Sequence, residues 1–314
     1  MKKNKIILLT IIYVVNLLIL FVLTFSIKTY KYDAIINSFN DSLPYGNGKR
    51  ARIVILAGQS NASGCSRDDY LKINVSEEKY LEYETGYDNV YINYFASNTN
   101  ISNGFVRCST KQGESGGYFG PELGIAEKLH AEFPDELFFI IKWAWGGTNL
   151  YNQWLSPSSI GKTGKLYKQF VEYVENSLMY LDYKNYEINI EGVCWMQGES
   201  DSFSIKHAKN YKNNLKNFIN DIRKNFSNYA SNDGIAFIDA CIANNPVFWV
   251  YYNFVNESKK EVSRLSDLNI LIDTNSYGLS CSNEPFETPD IAHYDSLSQI
   301  KLGNLFAEEL IKFF

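Results

Sequence analysis

Five short apolar runs, separated by long loops and segments of helical periodicity, constrain the fold of this 314-residue chain more than any other feature. They occupy residues 52–57, 137–143, 188–195, 235–242 and 269–273. Runs of this length and continuity read as strands buried on both faces. Between them, Leu166, Phe170, Val174 and Leu178 form an i, i+4 stripe over residues 165–181, the mark of a helix with one covered face. Further helices are expected at 204–226, 250–265 and from 296 to the end. Another opens at Gly120-Pro121-Glu122 and runs to 133, with proline in its first turn. Strands alternating with helices build βαβ units and a five-stranded parallel sheet. Residues 62–118 are rich in Tyr, Asn, Ser and Gly and read as irregular loops near the mouth of a site.

The first 50 residues belong to a different regime. Lys2, Lys3 and Lys5 precede an apolar run over residues 6–27, broken only by Thr10, Asn16, Thr24 and Ser26. About 20 such residues span a bilayer as a helix. A signal-peptide apolar region is shorter, roughly 7–15 residues, and ends at a small-residue cleavage site, which does not follow here. Residues 1–27 therefore read as a cytoplasmic tip and transmembrane signal anchor, with the lysines inside. A cleaved signal peptide is the alternative, and either one places the body outside the cytoplasm. Residues 28–50 read as a juxtamembrane stalk and 51–314 as one enzyme-sized domain. The net charge of −5 is unevenly spread: residues 1–44 hold five lysines against two aspartates, a net of +3, which leaves −8 for the rest. An acidic body excludes a nucleic-acid partner, which needs a basic face to displace counterions.

The five cysteines stand singly and make neither a zinc pattern nor a disulfide framework. Cys65 with Cys108, or Cys241 with Cys281, remain open as pairs, and Cys194 reads as a buried thiol. Three scattered histidines offer no metal cluster, and no cofactor motif is present; Ser159-Ile160-Gly161-Lys162-Thr163 lacks the first glycine of a phosphate loop. His130 and His207 lie within helical segments and read as solvent-facing. His293 differs: it sits in Pro289-Asp290-Ile291-Ala292-His293, just before the last helix.

The first strand ends in Gly58-Gln59-Ser60-Asn61, and sites in parallel α/β sheets lie beyond the carboxyl ends of the strands. A serine hydroxyl becomes a nucleophile when an imidazole takes its proton and a third group fixes that imidazole's tautomer. Ser60, His293 and Asp290 supply those three parts. Acyl transfer also needs donors aimed at the developing oxyanion. The second strand ends in Gly146-Gly147 and the third in Gln197-Gly198-Glu199-Ser200-Asp201, so the amides of Ser60 and Gly147 and the side chain of Gln197 make a candidate three-donor hole. Gln59, Asn61, Gly146, Asn149 and Glu199 are candidates for substrate contact or support.

Together these blocks resemble the SGNH (GDSL-like) hydrolases, in the branch of sialate O-acetylesterases and acetylxylan esterases. The resemblance covers about residues 51–314. It is carried by Gly58-Gln59-Ser60-Asn61, Gly120-Pro121-Glu122-Leu123, Trp145-Gly146-Gly147-Thr148-Asn149-Leu150 with Trp154, Trp195-Met196-Gln197-Gly198-Glu199-Ser200-Asp201, and Asp290 to His293 followed by Leu302-Gly303. It implies a flavodoxin-like three-layer α/β/α sandwich, Ser60 as nucleophile, His293 as general base and acid, and Asp290 as its orienter. It implies an O-acetylated carbohydrate as substrate and no cofactor. Glu199 and Asp201 are expected to hold loops, because an ionised acid beside an oxyanion opposes its charge. A glycan O-acetyltransferase with the same triad and a silent glycan-binding module are the alternatives.

Overall fold

The computed structural model describes residues 13–17, 20, 30–231 and 233–314. The expected anchor at residues 6–27 falls almost wholly outside them, and among the described residues no helix is long and apolar enough to cross a membrane. The chain divides into two compact units, the second being Asp41–Phe314. That unit takes in residues 41–50, which the sequence reading assigns to the stalk. Asp41 accepts from the Phe105 amide at 2.8 Å and the Tyr180 hydroxyl at 2.7 Å, and the Gly46 and Gly48 amides donate to the carbonyls of Lys184 and Asn185.

The main sheet contains β1 (Arg50–Gly58), β3 (Val90–Ala96), β4 (Asn100–Ile101), β5 (Val106–Arg107), β7 (Phe138–Ala144), β8 (Glu187–Met196), β9 (Ala236–Ala240) and β10 (Asn269–Ile272). A separate pair joins β2 (Ser66–Arg67) to β6 (Tyr118–Phe119). Across the main sheet the order is β10-β9-β8-β1-β7-β3-β4, with β5 also on β3. The five strands expected from sequence are all present and stand in the doubly wound order 2-1-3-4-5. The expected count of five parallel strands is corrected to six, because β3 pairs in parallel with β7. Residues 62–118 are thus not all loop. The segment Val90-Tyr91-Ile92-Asn93-Tyr94-Phe95-Ala96 is rich in strand formers around the polar Asn93, which is buried, donating to Ser177 Oγ and accepting from Ser102 Oγ, each at 2.9 Å. The same segment also folds α2 (Asp68–Asn74) and α3 (Glu77–Thr85), after the short α1 (Ser60–Ser63).

Helices cover both faces of the sheet. On one, α4 (Glu122–Glu132) and α8 (Ser296–Ile311) pack closely, since a Cβ on Gly124 would lie 2.1 Å from the Ile300 carbonyl. On the other lie α5 (Lys165–Tyr183) and α6 (Ile205–Asn225), whose Phe170 and Phe218 meet a buried cluster of Trp143, Trp154 and Trp195. The helix α7 (Tyr252–Ser263) packs beside α6. Successive residues of β7 serve opposite faces: Trp143 joins the aromatic cluster, whereas Lys142 turns under α4.

Lys142 is an ion in the middle of an apolar strand. Its ammonium donates to Glu122 Oε2 at 2.8 Å and to the Gln112 carbonyl at 2.9 Å, and both side chains of the pair are fully buried. Glu122 Oε1 also accepts from the Gly120 amide at 2.8 Å. The pair therefore ties β7, the start of α4 and the 112–120 segment together. Removing one partner strands a charge without water, which costs roughly 3–5 kcal/mol. Glu122→Ala should lose about that much in urea unfolding, and Glu122→Leu combined with Lys142→Met should recover most of it.

Candidate active site

Three strand ends lie level at the centre of the sheet: Gly58 of β1 is in register with Ala144 of β7 and Met196 of β8. They are stitched just beyond that point, where the Gln59 amide donates to the Met196 carbonyl at 2.9 Å and the Trp145 amide to the Gly58 carbonyl at 3.0 Å. Gly58 has φ +143°, and a Cβ there would lie 1.9 Å from the Met196 carbonyl oxygen, so no side chain fits between the two strands. Ser60 follows as the first residue of α1, 9% exposed. Its amide and that of Gly147 meet no protein acceptor among the described residues. Gly147 is exposed at φ +67° with nothing near its Cβ position. The neighbouring Gly146 amide is taken by Ser97 Oγ at 2.9 Å.

His293 Nδ1 lies 2.6 Å from Asp290 Oδ2. The Ala292 amide fixes the other oxygen of Asp290 at 3.1 Å. The hydrogen bond from His293 and its charge hold the Asp290 carboxyl below the usual carboxylate range. Burial alone would lower the His293 pKa, but the hydrogen bond and charge of Asp290 outweigh it and raise the imidazole above its ordinary 6.5.

Asn61 joins this dyad to the serine. Its Nδ2 donates to the Ala292 carbonyl at 3.2 Å, and its Oδ1 accepts from the Tyr294 amide at 3.1 Å. The residue after Ser60 thus grips both neighbours of His293. Glu199 Oε1 orients the same amide, accepting from Asn61 Nδ2 at 2.9 Å. Glu199 is fully buried, its other oxygen has no hydrogen-bond partner among the described residues, and burial pushes its pKa up. Ser60 and His293 make no direct hydrogen bond in this structure.

The structure separates the remaining candidates from the dyad. Gln197 is fully buried, and its Nε2 faces Asp201 Oδ2 at 2.7 Å, the Thr148 carbonyl at 2.9 Å and Gln59 Oε1 at 3.3 Å. Its oxygen accepts from the Tyr211 hydroxyl at 3.0 Å. With both amide hydrogens taken, Gln197 is not a free donor, contrary to the expected third place in an oxyanion hole. Asp201, its pKa pushed up to about 6 by burial, accepts from the amides of Leu150 and Tyr151 and so secures the loop after β7. Asn149 bonds Gln153 and the Asn152 amide, and Gln59 Oε1 accepts from the Ser200 amide at 3.2 Å. These residues shape the loops from within. His130 faces Asn89 Oδ1 at 2.7 Å and His207 stacks on Tyr151, with centroids 4.2 Å apart, so both are half-buried and not solvent-facing. All five cysteines are free thiols.

A cleft of about 550 Å³ opens beside His293 and Asp290, lined also by Ser97, Thr99, Glu114, Tyr118 and Trp145. Sequence reasoning missed most of these residues. Ser97 follows the unrecognised strand β3, and nothing local marks Glu114. Asn61→Ala should leave the Tyr294 amide without its acceptor and the Glu199 carboxyl without its donor. Amide hydrogen exchange at Tyr294 is expected to accelerate, with about 1–3 kcal/mol lost in denaturant unfolding; unchanged exchange would exclude the clamp.

A family model described as "Carbohydrate esterase, sialic acid-specific acetylesterase" matches residues 50–312. Among curated proteins no match is found. Among solved structures, a protein of Arabidopsis thaliana is 22% identical with TM-score 0.60, over 84% of this chain and 99% of its own. NanS is 16% identical with TM-score 0.61, over 85% and 98%. A carbohydrate acetylesterase from Xanthomonas citri is 14% identical with TM-score 0.54, over 82% of this chain and 54% of its own. At these identities the likeness is one of fold.

Proposed function

Because the chain belongs to the carbohydrate esterases of the sialic acid-specific acetylesterase family, we propose that this carboxylic ester hydrolase removes O-acetyl groups from sugars through an acyl-enzyme on Ser60. The observation that carries the mechanism is the Asn61 clamp, which sets the Asp290–His293 pair beside the serine-bearing turn. In this reading His293 Nε2 takes the proton of Ser60 Oγ as the oxygen attacks the acetyl carbonyl. Asp290, on Nδ1, holds the tautomer and stabilises the imidazolium. The amides of Ser60 and Gly147 receive the oxyanion, an effect worth roughly 3 kcal/mol per donor. Collapse expels the sugar oxygen, which takes its proton from His293. Water, deprotonated by the same imidazole, then releases acetate. Gln197 acts from behind, keeping the Thr148–Tyr151 loop and hence Gly147 in place.

The same residues serve a glycan O-acetyltransferase if a sugar hydroxyl replaces water, and products from an acetyl donor with an acceptor glycan separate the two. The lysine-flanked apolar run of residues 6–27 supports a tethered body outside the cytoplasm. Turnover of p-nitrophenyl acetate should vanish in Ser60→Ala; equal turnover in both proteins leaves only the silent binding module. The base works as neutral imidazole, and the Asp290 carboxylate favours the charged form, so kcat/KM should fall on acidification through a pKa above 6.5. Asp290→Asn should move that limb to lower pH while cutting kcat roughly 10²–10⁴-fold. A pH–rate profile of the two proteins checks both signs.

A further inference from the structure

The cleft beside His293 contains a carboxylate that the proposed chemistry does not use. Glu114 Oε2 accepts from the Cys65 thiol at 2.7 Å, and Oε1 lies 2.7 Å from where a Cβ on Gly146 would sit. The side chain therefore lies over the glycine that precedes Gly147. Its backbone is also held: the Glu114 amide donates to the Gly64 carbonyl at 2.8 Å, and Thr99 Oγ1 bonds the Glu114 carbonyl. Among the described residues no lysine, arginine or histidine forms an ion pair with it. The lining of the cleft includes Glu114 and Asp290 but no lysine or arginine.

The arginine of the adjacent cavity does not offset this charge. Arg67 lines the adjacent cavity, which shares Tyr118 and His293 with the cleft. Its guanidinium is bound to the Asp69 carboxylate through both Nε and a terminal nitrogen and lies 5.0 Å over the Tyr70 ring. A sugar carboxylate entering the cleft would meet the Glu114 carboxyl, and the one basic side chain in the lining, His293, is already paired with Asp290. A neutral sugar fits the same lining. The lining offers its hydroxyls the Glu114 carboxyl as an acceptor, with Ser97, Thr99, Tyr118 and Trp145 beside it. A volume of about 550 Å³ lies within the usual range for a small-molecule site.

We propose that this cleft is the sugar subsite, that Glu114 is its specificity-determining residue, and that the preferred substrates are O-acetylated sugars without a carboxylate, with sialates rejected. The inference rests on the esterase reading and narrows it, against the substrate in the family's description.

The test measures acetate release from an O-acetylated methyl xyloside, from 9-O-acetylated sialic acid and from the methyl ester of the latter, by wild type and Glu114→Gln. Wild type is expected to favour the xyloside over the sialate more than tenfold in kcat/KM. Masking the sialate carboxylate as its methyl ester should recover at least fivefold. Glu114→Gln should narrow the xyloside-to-sialate ratio at least fivefold, mainly through KM for the sialate. A wild-type preference for free sialate, an unchanged ratio in Glu114→Gln, or no gain on masking each overturns the proposal. Wild-type turnover of p-nitrophenyl acetate, lost in Ser60→Ala, tests the esterase reading separately. If it is absent that reading fails, and if it is present with the wrong ratios only the subsite assignment fails.

Discussion

The bonds made by the Asn61 side chain hold the site together. One amide, adjacent to the serine, meets the carbonyl of Ala292 and the amide of Tyr294, more than 230 residues away in sequence. A loop ahead of a helix has no ladder to fix its register, so this grip adds to Asp290 in placing the imidazole. Glu199 prevents the Asn61 amide from turning over, because its oxygen faces only the Nδ2 side. Further polar contacts reinforce the join: Gln299 Nε2 donates to the Asn61 carbonyl at 2.8 Å, and Ser66 Oγ to that of Tyr294 at 2.6 Å. Each is buried, where a hydrogen bond gains from low dielectric and a missing one is costly.

The sheet prepares this join by bringing strand ends level. Because Gly58, Ala144 and Met196 share a register, the turn with the serine, the Gly146-Gly147 turn and the Gln197 turn emerge side by side. Their backbones then bond one another before any side chain contributes. The polar residues beneath are occupied with that alignment: Gln197, Asp201, Thr148 and Tyr211 form one buried set beneath the loop carrying Gly147. Polar residues beside a reaction centre are readily mistaken for participants when they support the backbone that participates.

That distinction explains what was legible in the sequence. The five apolar runs and their helices were readable because burial on both faces leaves continuous β-branched and aromatic stretches. Asp290 and His293 were readable because short-range spacing on one loop requires no knowledge of tertiary contacts. Strand β3 was hidden by Asn93 and by the polar residues around it, whose partners Ser102 and Ser177 come from separate segments. Gln197 looked like an open donor because a sequence does not show that Asp201 and the Thr148 carbonyl take its hydrogens. Nothing in the sequence marks Lys142 and Glu122 as a buried ion pair, because their contact is made only in the folded sheet. Glu114 acquires meaning only once β1, β3 and β7 place Gly64, Thr99 and Gly146 around it.

The wide separation of Asn61 from the His293 loop also bears on synthesis. As the chain leaves the ribosome, Ser60 emerges with the first strand, while His293 and Asp290 come after β10, just ahead of α8. Strands β8, β1 and β7, which pair around the Ser60 turn, all precede that loop in the chain. Domains generally fold as units during translation. On the proposed reading, the site is complete only once the Asp290–His293 loop meets the Ser60 turn.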